Sequence, residues 1–225
     1  LLSRVRSHHC ACSERSNRYR AGTNEPRIII IPPSTNMRSR SLLKKELFSY
    51  CRSESLSEDG LREIIERHGL TPTNLSSFHL GSYKFFHAAC NNDRVNKGII
   101  QCLIEKFPAA ASAVVSVNGL SPLHYACQNP NMTPKIVQLL IDAAPDSVSS
   151  VNRNGRMPLH LLCMNEELDQ RAAVEILKLF IEKHPEAIQH VNNEGGFPIH
   201  CAAYGRRSPE FCRVLIEAYP GSERM

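Results

Sequence analysis

No tryptophan occurs in this sequence of 225 residues, and aromatic residues make up only 6% of it. No apolar run approaches the ~18 residues that a membrane-spanning helix needs. The sequence also has no G-x-S-x-G motif, no glycine-rich phosphate-binding loop and no H-E-x-x-H motif. We therefore expect no membrane span, no catalytic residues and no cofactor, and we expect that the protein is not an enzyme.

Metal-ligand spacing is also missing. Histidine and cysteine cluster at His8, His9, Cys10 and Cys12, and these are common zinc ligands. However, one residue separates the two cysteines, whereas structural zinc sites usually have about two to four. No second pair lies at a suitable distance, so we expect no metal site.

What the sequence does contain is a repeated unit with a histidine at its centre. Ser121–Cys127 reads S-P-L-H-Y-A-C, and 157–163 reads M-P-L-H-L-L-C. A third copy, F-P-I-H-C-A-A, covers 197–203, and a degenerate copy lies around His87. The four histidines are 37, 36 and 40 residues apart. Internal periods of about 20 to 50 residues are typical of stacked repeat architectures.

The residues of the unit predict the start of a slim helix. Ser121 is a good N-cap, and Pro122 suits the first helical position, where a missing N–H costs nothing. Leu123, Ala126 and Cys127 then give a small apolar surface that a neighbouring unit can approach closely. The other two copies begin with methionine and phenylalanine, which cannot cap through a side-chain oxygen, so we expect those helices to start less firmly.

A second repeated pattern, aligned on a proline, follows each histidine and predicts a second helix in each unit, the outer helix. Each histidine is followed by an apolar run that ends at a proline, and the positions four, five, six, eight and nine before the proline are apolar in every copy. An acidic residue stands three before the proline each time. The prolines are Pro108, Pro145, Pro185 and Pro220, and the acidic residues are Glu105, Asp142, Glu182 and Glu217. Asn- and Gly-rich segments, such as 151–155 and 191–195, then predict tight turns, or fingers, between the units.

Together these registers resemble the ankyrin repeat, whose T-P-L-H-x-A signature is matched closely at two copies and partly at two more. The resemblance covers about residues 81–225. It implies an all-α solenoid of helix-turn-helix units with short finger loops. The period is longer than the usual ~33 residues of the family, the glycine after the first helix is absent, and the copy that begins at 157 has an insertion near 165–171.

The residues before the clear repeats predict an atypical end unit. Ser55–Glu58 fits a capping box, apolar residues continue at helical spacing, and Gly69 offers a C-cap, so we predict a helix over about 56–68. We interpret residues 46–80 as a helical N-terminal cap or degenerate repeat, because the outermost units of a solenoid face water. Residues 81–225 would form the ankyrin solenoid, which we expect to be incomplete at its C-terminus.

The first 45 residues predict a different kind of segment. Residues 1–50 carry ten Lys and Arg against three Glu, so their net charge is +7, whereas the whole chain carries +5 and residues 51–225 carry −2. Such a basic, polar composition is typical of disorder. We predict a disordered basic arm over 1–45, although an Arg- and Ser-rich beginning also resembles an organellar transit peptide.

Nine cysteines raise the question of disulfides. Cys90, Cys127 and Cys163 each lie three residues after a repeat histidine, where the ankyrin pattern has a small buried residue. We therefore interpret them as packing residues. Their periodic placement favours a reducing compartment, so we expect an intracellular, cytoplasmic protein, with organellar targeting by the arm left open.

The resemblance implies that the protein is an interaction scaffold that binds another protein on the concave side of the solenoid. In this family the finger tips and the residues closing each inner helix make the contacts. Mapped by register, these positions are Asn91, Asn92, Asn118, Gln128, Asn129, Arg153, Asn154, Arg156, Met164, Asn165, Asn193, Glu194 and Tyr204. The residues expected to maintain the repeat itself are Ser121, Pro122, Leu123, His124, Pro158, Leu159, His160, Pro198, Ile199, His200 and His87.

Two alternatives remain open at this stage. The basic arm could bind nucleic acid or an acidic partner, although few aromatic residues accompany its charges for base stacking. The repeats could instead be the regulatory segment of a larger protein.

Overall fold

A computed structural model of the chain describes residues 37–69, 83–115 and 117–224. Within these residues it contains ten α-helices and no strand. The helices are α1 Met37–Cys51, α2 Glu58–Arg67, α3 Lys84–Cys90, α4 Lys97–Lys106, α5 Pro122–Gln128, α6 Pro134–Ala143, α7 Pro158–Met164, α8 Gln170–Lys183, α9 Pro198–Tyr204 and α10 Pro209–Ala218. The prediction of an all-α repeat fold is confirmed.

The helices stack in two layers. The odd-numbered helices contact one another in sequence, α1 to α3 to α5 to α7 to α9, and form the inner layer. The even-numbered helices do the same and form the outer layer, and each inner helix also contacts the outer helix that follows it. The fold is therefore a series of five helix pairs, each packed mainly on its neighbours.

Local signals explain the helix boundaries of the central units. The Ser121 hydroxyl accepts a hydrogen bond from the main-chain N–H of His124, and Pro122 occupies the first position of α5. Each outer helix from α4 to α8 ends just before a proline that begins a short 3-10 turn, at Pro108, Pro145 and Pro185. The missing N–H of proline costs nothing at such a start.

The predicted apolar stripe of the outer helices faces the core. In α6, Ile136, Val137, Leu140 and Ile141 are buried, while Asp142 is exposed and accepts a hydrogen bond from Gln138. Equivalent residues are buried in α4 and α8, including the fully buried Phe180. One hydrophobic core therefore runs between the two layers along the whole stack.

The insertion near 165–171, between α7 and α8, lengthens a helix. Helix α8 has 14 residues, whereas α4, α6 and α10 have 10. The Asp169 carboxylate caps α8 by accepting from the N–H of Ala172. The extra residues therefore form the loop before α8 and the added first turn of that helix.

The N-terminal part of the chain requires two corrections. Helix α1 begins at Met37, so the boundary expected at residue 45 falls within a helix whose Leu43, Leu47 and Cys51 are buried in the core. Helix α2 begins at Glu58, and its N-cap is Ser57 rather than Ser55: the Ser57 hydroxyl accepts from the N–H of Gly60. The prediction of a disordered arm otherwise concerns residues that lie outside the described part of the chain.

Candidate functional site

The repeat histidines link each inner helix to the unit that follows it. In His124, Nδ1 accepts a hydrogen bond from the N–H of Ser121 at 3.1 Å, so the neutral ring carries its proton on Nε2. Nε2 then donates to the carbonyl oxygen of Arg156, 3.1 Å away and 32 positions later. His160 repeats this arrangement with the N–H of Met157 and the carbonyl of His190.

Burial keeps these histidines neutral. Both rings are inaccessible to solvent, and desolvation lowers the pKa of His124 and of His160 to about 4 from the ordinary value of 6.5. The carbonyl that accepts from each Nε2 opposes this shift only in part. The geometry gives both residues a structural task, and the Ser121 hydroxyl, 2.8 Å from Nδ1 of His124, is buried with that ring at the start of α5.

The first and last repeat histidines differ from this pattern. Both ring nitrogens of His87 lie 3.0 Å from a carbonyl oxygen, Nδ1 from Tyr83 and Nε2 from Ala113, so a neutral ring donates to only one of them. Burial lowers the pKa of His87. In His200, Nδ1 accepts from the N–H of Phe197 at 3.3 Å, and the ring is partly exposed.

Asparagines make a second set of links, in the opposite direction. The side-chain amide of Asn129 donates to the carbonyl oxygens of Cys90 at 2.9 Å and Asn92 at 3.0 Å. Asn92 donates in the same way to the carbonyls of Cys51 and Ser53, and Asn165 to that of Cys127. Each amide closes the C-terminal end of the preceding inner helix, where carbonyls have no partner within the helix.

In the last repeat, which contains α9 and α10, a different residue bonds to the main chain of the preceding unit. Gly205 stands where the earlier units have asparagine, and a Cβ atom at this position would collide with the carbonyl oxygen of Cys163. Arg207 instead donates to the carbonyl of Leu162, at 2.7 Å from Nη2, and to that of Leu168, at 3.2 Å from Nη1. Its guanidinium also lies over the ring of Phe211.

The finger loops are connected to one another through the main chain. The N–H of Arg153 donates to the carbonyl of Asn118, and the N–H of Asn193 donates to the carbonyl of Asn154, each at 3.0 Å. The Asn193 side chain donates further to the carbonyl of Arg153. Across the last two fingers, Arg156 and Glu194 form an ion pair with a distance of 2.7 Å.

The predicted binding residues therefore divide into two groups. Asn129 is only 2% exposed and must be removed from the candidate surface, because its amide is fully engaged within the protein. Asn92, Asn118, Arg156, Met164 and Asn165 are partly buried. The exposed members are Asn91, Gln128, Arg153, Asn154, Asn193, Glu194 and Tyr204.

Two pockets open on the inner face, which we define as the surface formed by the inner helices and the fingers. The C-terminal pocket, of about 400 Å³, is lined by residues that include Arg156, Met164, Glu194, His200 and Tyr204. It brings together four of the predicted binding residues. Tyr204 at its edge is 80% exposed, more than any other large hydrophobic residue in the described part of the chain.

The N-terminal pocket, of about 570 Å³, is lined by two of the predicted binding residues, Asn91 and Asn92, but the rest of its lining was not predicted from the sequence. Its lining includes Phe48, Arg52, Lys84, His87 and Tyr125. A signal for it was present: Arg52 directly follows Cys51, as Asn91 follows Cys90 and Gln128 follows Cys127. The register of the residues that close each inner helix therefore extends to Arg52.

Sites of other kinds do not stand out in the part of the chain that the structure describes. There, no group of three or more His, Cys, Asp or Glu side chains is placed to hold a metal ion. None of the described helices combines the length and the apolar character needed to cross a membrane. The His8–Cys12 cluster and most of the basic arm, with its suggested nucleic-acid contacts, lie outside the described residues.

The two-layer stack of helix pairs with linked fingers defines a helical repeat protein. Comparison with known families identifies the kind of repeat, because residues 128–223 match the family model for ankyrin repeats in three copies. This part of the chain therefore belongs to the ankyrin repeat family, and the preceding helix pairs continue the same stack. No curated protein matches the chain. Ankyrin repeats are generally protein–protein interaction modules.

Proposed function

We propose that the protein is an interaction scaffold that binds another protein on its inner face, the concave side of an ankyrin solenoid. The observation that carries this proposal is the exposure of Tyr204 beside a pocket. Aromatic residues, methionine and arginine are enriched in interface cores, and a few such anchors dominate binding energy. Tyr204 lines the C-terminal pocket together with Met164 and Arg156.

The arrangement suits an anchor with a polar rim. Tyr204 offers a large apolar surface at a low cost in conformational entropy, since its side chain has few rotatable bonds. The neighbouring Arg156–Glu194 pair connects two fingers at the pocket wall within the protein itself. A preformed site reduces the cost of ordering on binding.

Site-specific cross-linking tests this function directly. A photoreactive amino acid replaces Tyr204 in one variant and Glu217, which is exposed on outer helix α10, in a second variant. Irradiation in extracts of cells that make the protein should attach a defined protein at position 204 and not at 217. Cross-linking only at 217 would transfer the site to the outer face.

The captured protein then permits a quantitative test. Tyr204→Ala should weaken its binding by at least about 10-fold, as expected for an anchor residue. The change should leave the urea midpoint of the scaffold nearly unchanged, because an exposed side chain contributes little to stability. Unchanged affinity in this variant would refute the assignment of Tyr204 as an anchor.

A further inference from the structure

The N-terminal pocket of the inner face has an unbalanced charge. Arg52 and Lys84 are both exposed cations in its lining, which includes no Asp or Glu. Among the described residues, neither forms an ion pair with a carboxylate. The C-terminal pocket differs, because its Arg156 is already paired with Glu194.

An aromatic ring lies against one of the two cationic groups. The guanidinium of Arg52 lies over the ring of Phe48, 5.5 Å from its centroid. This contact is favourable for a cation and leaves the N–H groups of the guanidinium free for an anion. Across the pocket, the ring of Tyr125 packs edge-on against His87, with 5.5 Å between centroids.

The positive charge of this pocket continues on helix α1. Residues 37–50 carry four Lys and Arg against one Glu, so the two cations of the pocket belong to the basic end of the stack. The remaining lining includes Val115 and Ala88, which add apolar surface beside the charges. A volume of about 570 Å³ is large enough for more than one side chain.

We propose that the N-terminal pocket receives an acidic side chain of the partner protein, an Asp or Glu adjacent to an apolar residue. The carboxylate accepts hydrogen bonds from the guanidinium of Arg52, which matches it in a bidentate geometry, and from the ammonium of Lys84. The apolar neighbour packs on Phe48 and Val115. This inference rests on the proposed function and adds the chemistry of the partner.

Two labelled peptides probe the pocket in the full chain. The first alternates Glu with Leu, and the second replaces every Glu with Gln. Fluorescence anisotropy should show binding of the Glu peptide and at least about 10-fold weaker binding of the Gln peptide. Raising NaCl from about 50 to about 300 mM should weaken the Glu peptide, because salt screens exposed charges. Equal binding of both peptides would overturn the proposal.

Charge variants locate the binding. Arg52→Glu with Lys84→Glu should weaken the Glu peptide at least about 10-fold, since both changes place like charges opposite the carboxylates. The matched control, Lys135→Glu with Arg171→Glu, alters exposed residues of outer helices by the same total charge and should change affinity less than about 2-fold. Arg52→Met with Lys84→Met removes the charges while keeping apolar side chains, and should also weaken binding.

The outcomes separate this inference from the proposed function. If a protein is captured through position 204 but the Arg52 and Lys84 variants bind the peptide and that protein normally, the pocket assignment fails and the scaffold function stands. If position 204 captures nothing while the Glu peptide binds in an Arg52-dependent manner, the acidic pocket stands without the Tyr204 anchor. If the control variant lost as much affinity as the pocket variant, the effect would come from the overall charge of the protein, and the proposed site would be refuted.

Discussion

The side-chain amide of Asn129 lies 2.9 Å from the carbonyl oxygen of Cys90, which is 39 positions earlier in the chain. From inner helix α5, which ends at the residue before Asn129, the His124 side chain extends to the carbonyl of Arg156 in the following unit. Helix α5 is therefore joined to both neighbouring units by side chains that bond to main-chain oxygens. Removing either side chain leaves a buried polar group without a partner, which costs more than the hydrogen bond contributes.

Asn129→Ala should lower the free energy of unfolding by about 1 to 3 kcal/mol, because the carbonyls of Cys90 and Asn92 lose their donor. The adjacent Gln128→Ala is the matched control, since Gln128 is exposed on the same helix. Urea denaturation followed by circular dichroism measures both. Similar midpoints for the two variants would contradict a stabilising role for this amide.

The free energy of unfolding should decrease as the pH is lowered below 6.5, because His124 and His160 stay neutral in the fold. Their folded pKa of about 4 lies below the ordinary 6.5, so the unfolded chain binds more protons between these values. The stability contribution is complete above pH 6.5 and is lost progressively as pH falls towards 4.

Urea midpoints recorded from pH 7.5 to 4.5 measure this loss. The double variant His124→Gln and His160→Gln should be less stable at neutral pH and should show a flatter dependence on pH. The control Gln128→Ala, which changes an exposed side chain without a titratable group, should retain the slope of the unmodified protein. An unchanged slope in the double variant would show that other groups cause the pH dependence.

Helix α1 should contribute to the stability of the solenoid. Leu43→Ala removes a side chain that is 1% exposed and should cost about 2 to 5 kcal/mol. Leu42→Ala, at a position that is 61% exposed on the same helix, should shift stability by about 0.5 kcal/mol or less. If both variants unfolded at the same denaturant concentration, α1 would not be part of the cooperative core.

Gly205→Ala should destabilise the last repeat, because the added methyl group meets the main-chain oxygen of Cys163, which cannot move aside cheaply. We expect a loss of about 1 to 3 kcal/mol, the usual cost of overpacking. Gly98→Ala is the control: its methyl group meets only the end of the Glu58 side chain, which can rotate away. Thermal unfolding should therefore separate the two variants, and equal melting temperatures would argue against the close contact at Gly205.

The repeat registers predicted most of the fold. Ser121 and Pro122 marked the start of an inner helix, and the apolar stripe before each proline marked the outer helices, because capping and amphipathic burial act locally. The boundary at residue 45 was wrong for a physical reason. Leu43, Leu47 and Cys51 form a buried stripe with a spacing of four, but basic residues such as Lys44 and Lys45 surround it and resemble the arm.

The candidate site was harder to predict. The register identified which residues close each inner helix, but it did not show where their side chains point. Asn92, Asn129 and Asn165 bond to the preceding unit, and their identity in three successive units was a sign of a shared structural role. The neighbouring positions Arg52, Asn91, Gln128, Met164 and Tyr204 differ from unit to unit and border the inner face. The direction of each side chain depends on packing between units, which sequence spacing alone does not specify.

The contacts of Arg207 make the last repeat depend on the particular unit that precedes it. One of its two acceptors, the carbonyl of Leu168, lies in the inserted segment before α8, which the other units lack. Inserting a copy of the α5–α6 unit directly before α9 would therefore leave the Arg207 guanidinium without that acceptor. The earlier junctions do not have this dependence, because asparagine there bonds to main-chain oxygens of the preceding unit. The last two units are therefore structurally dependent on each other.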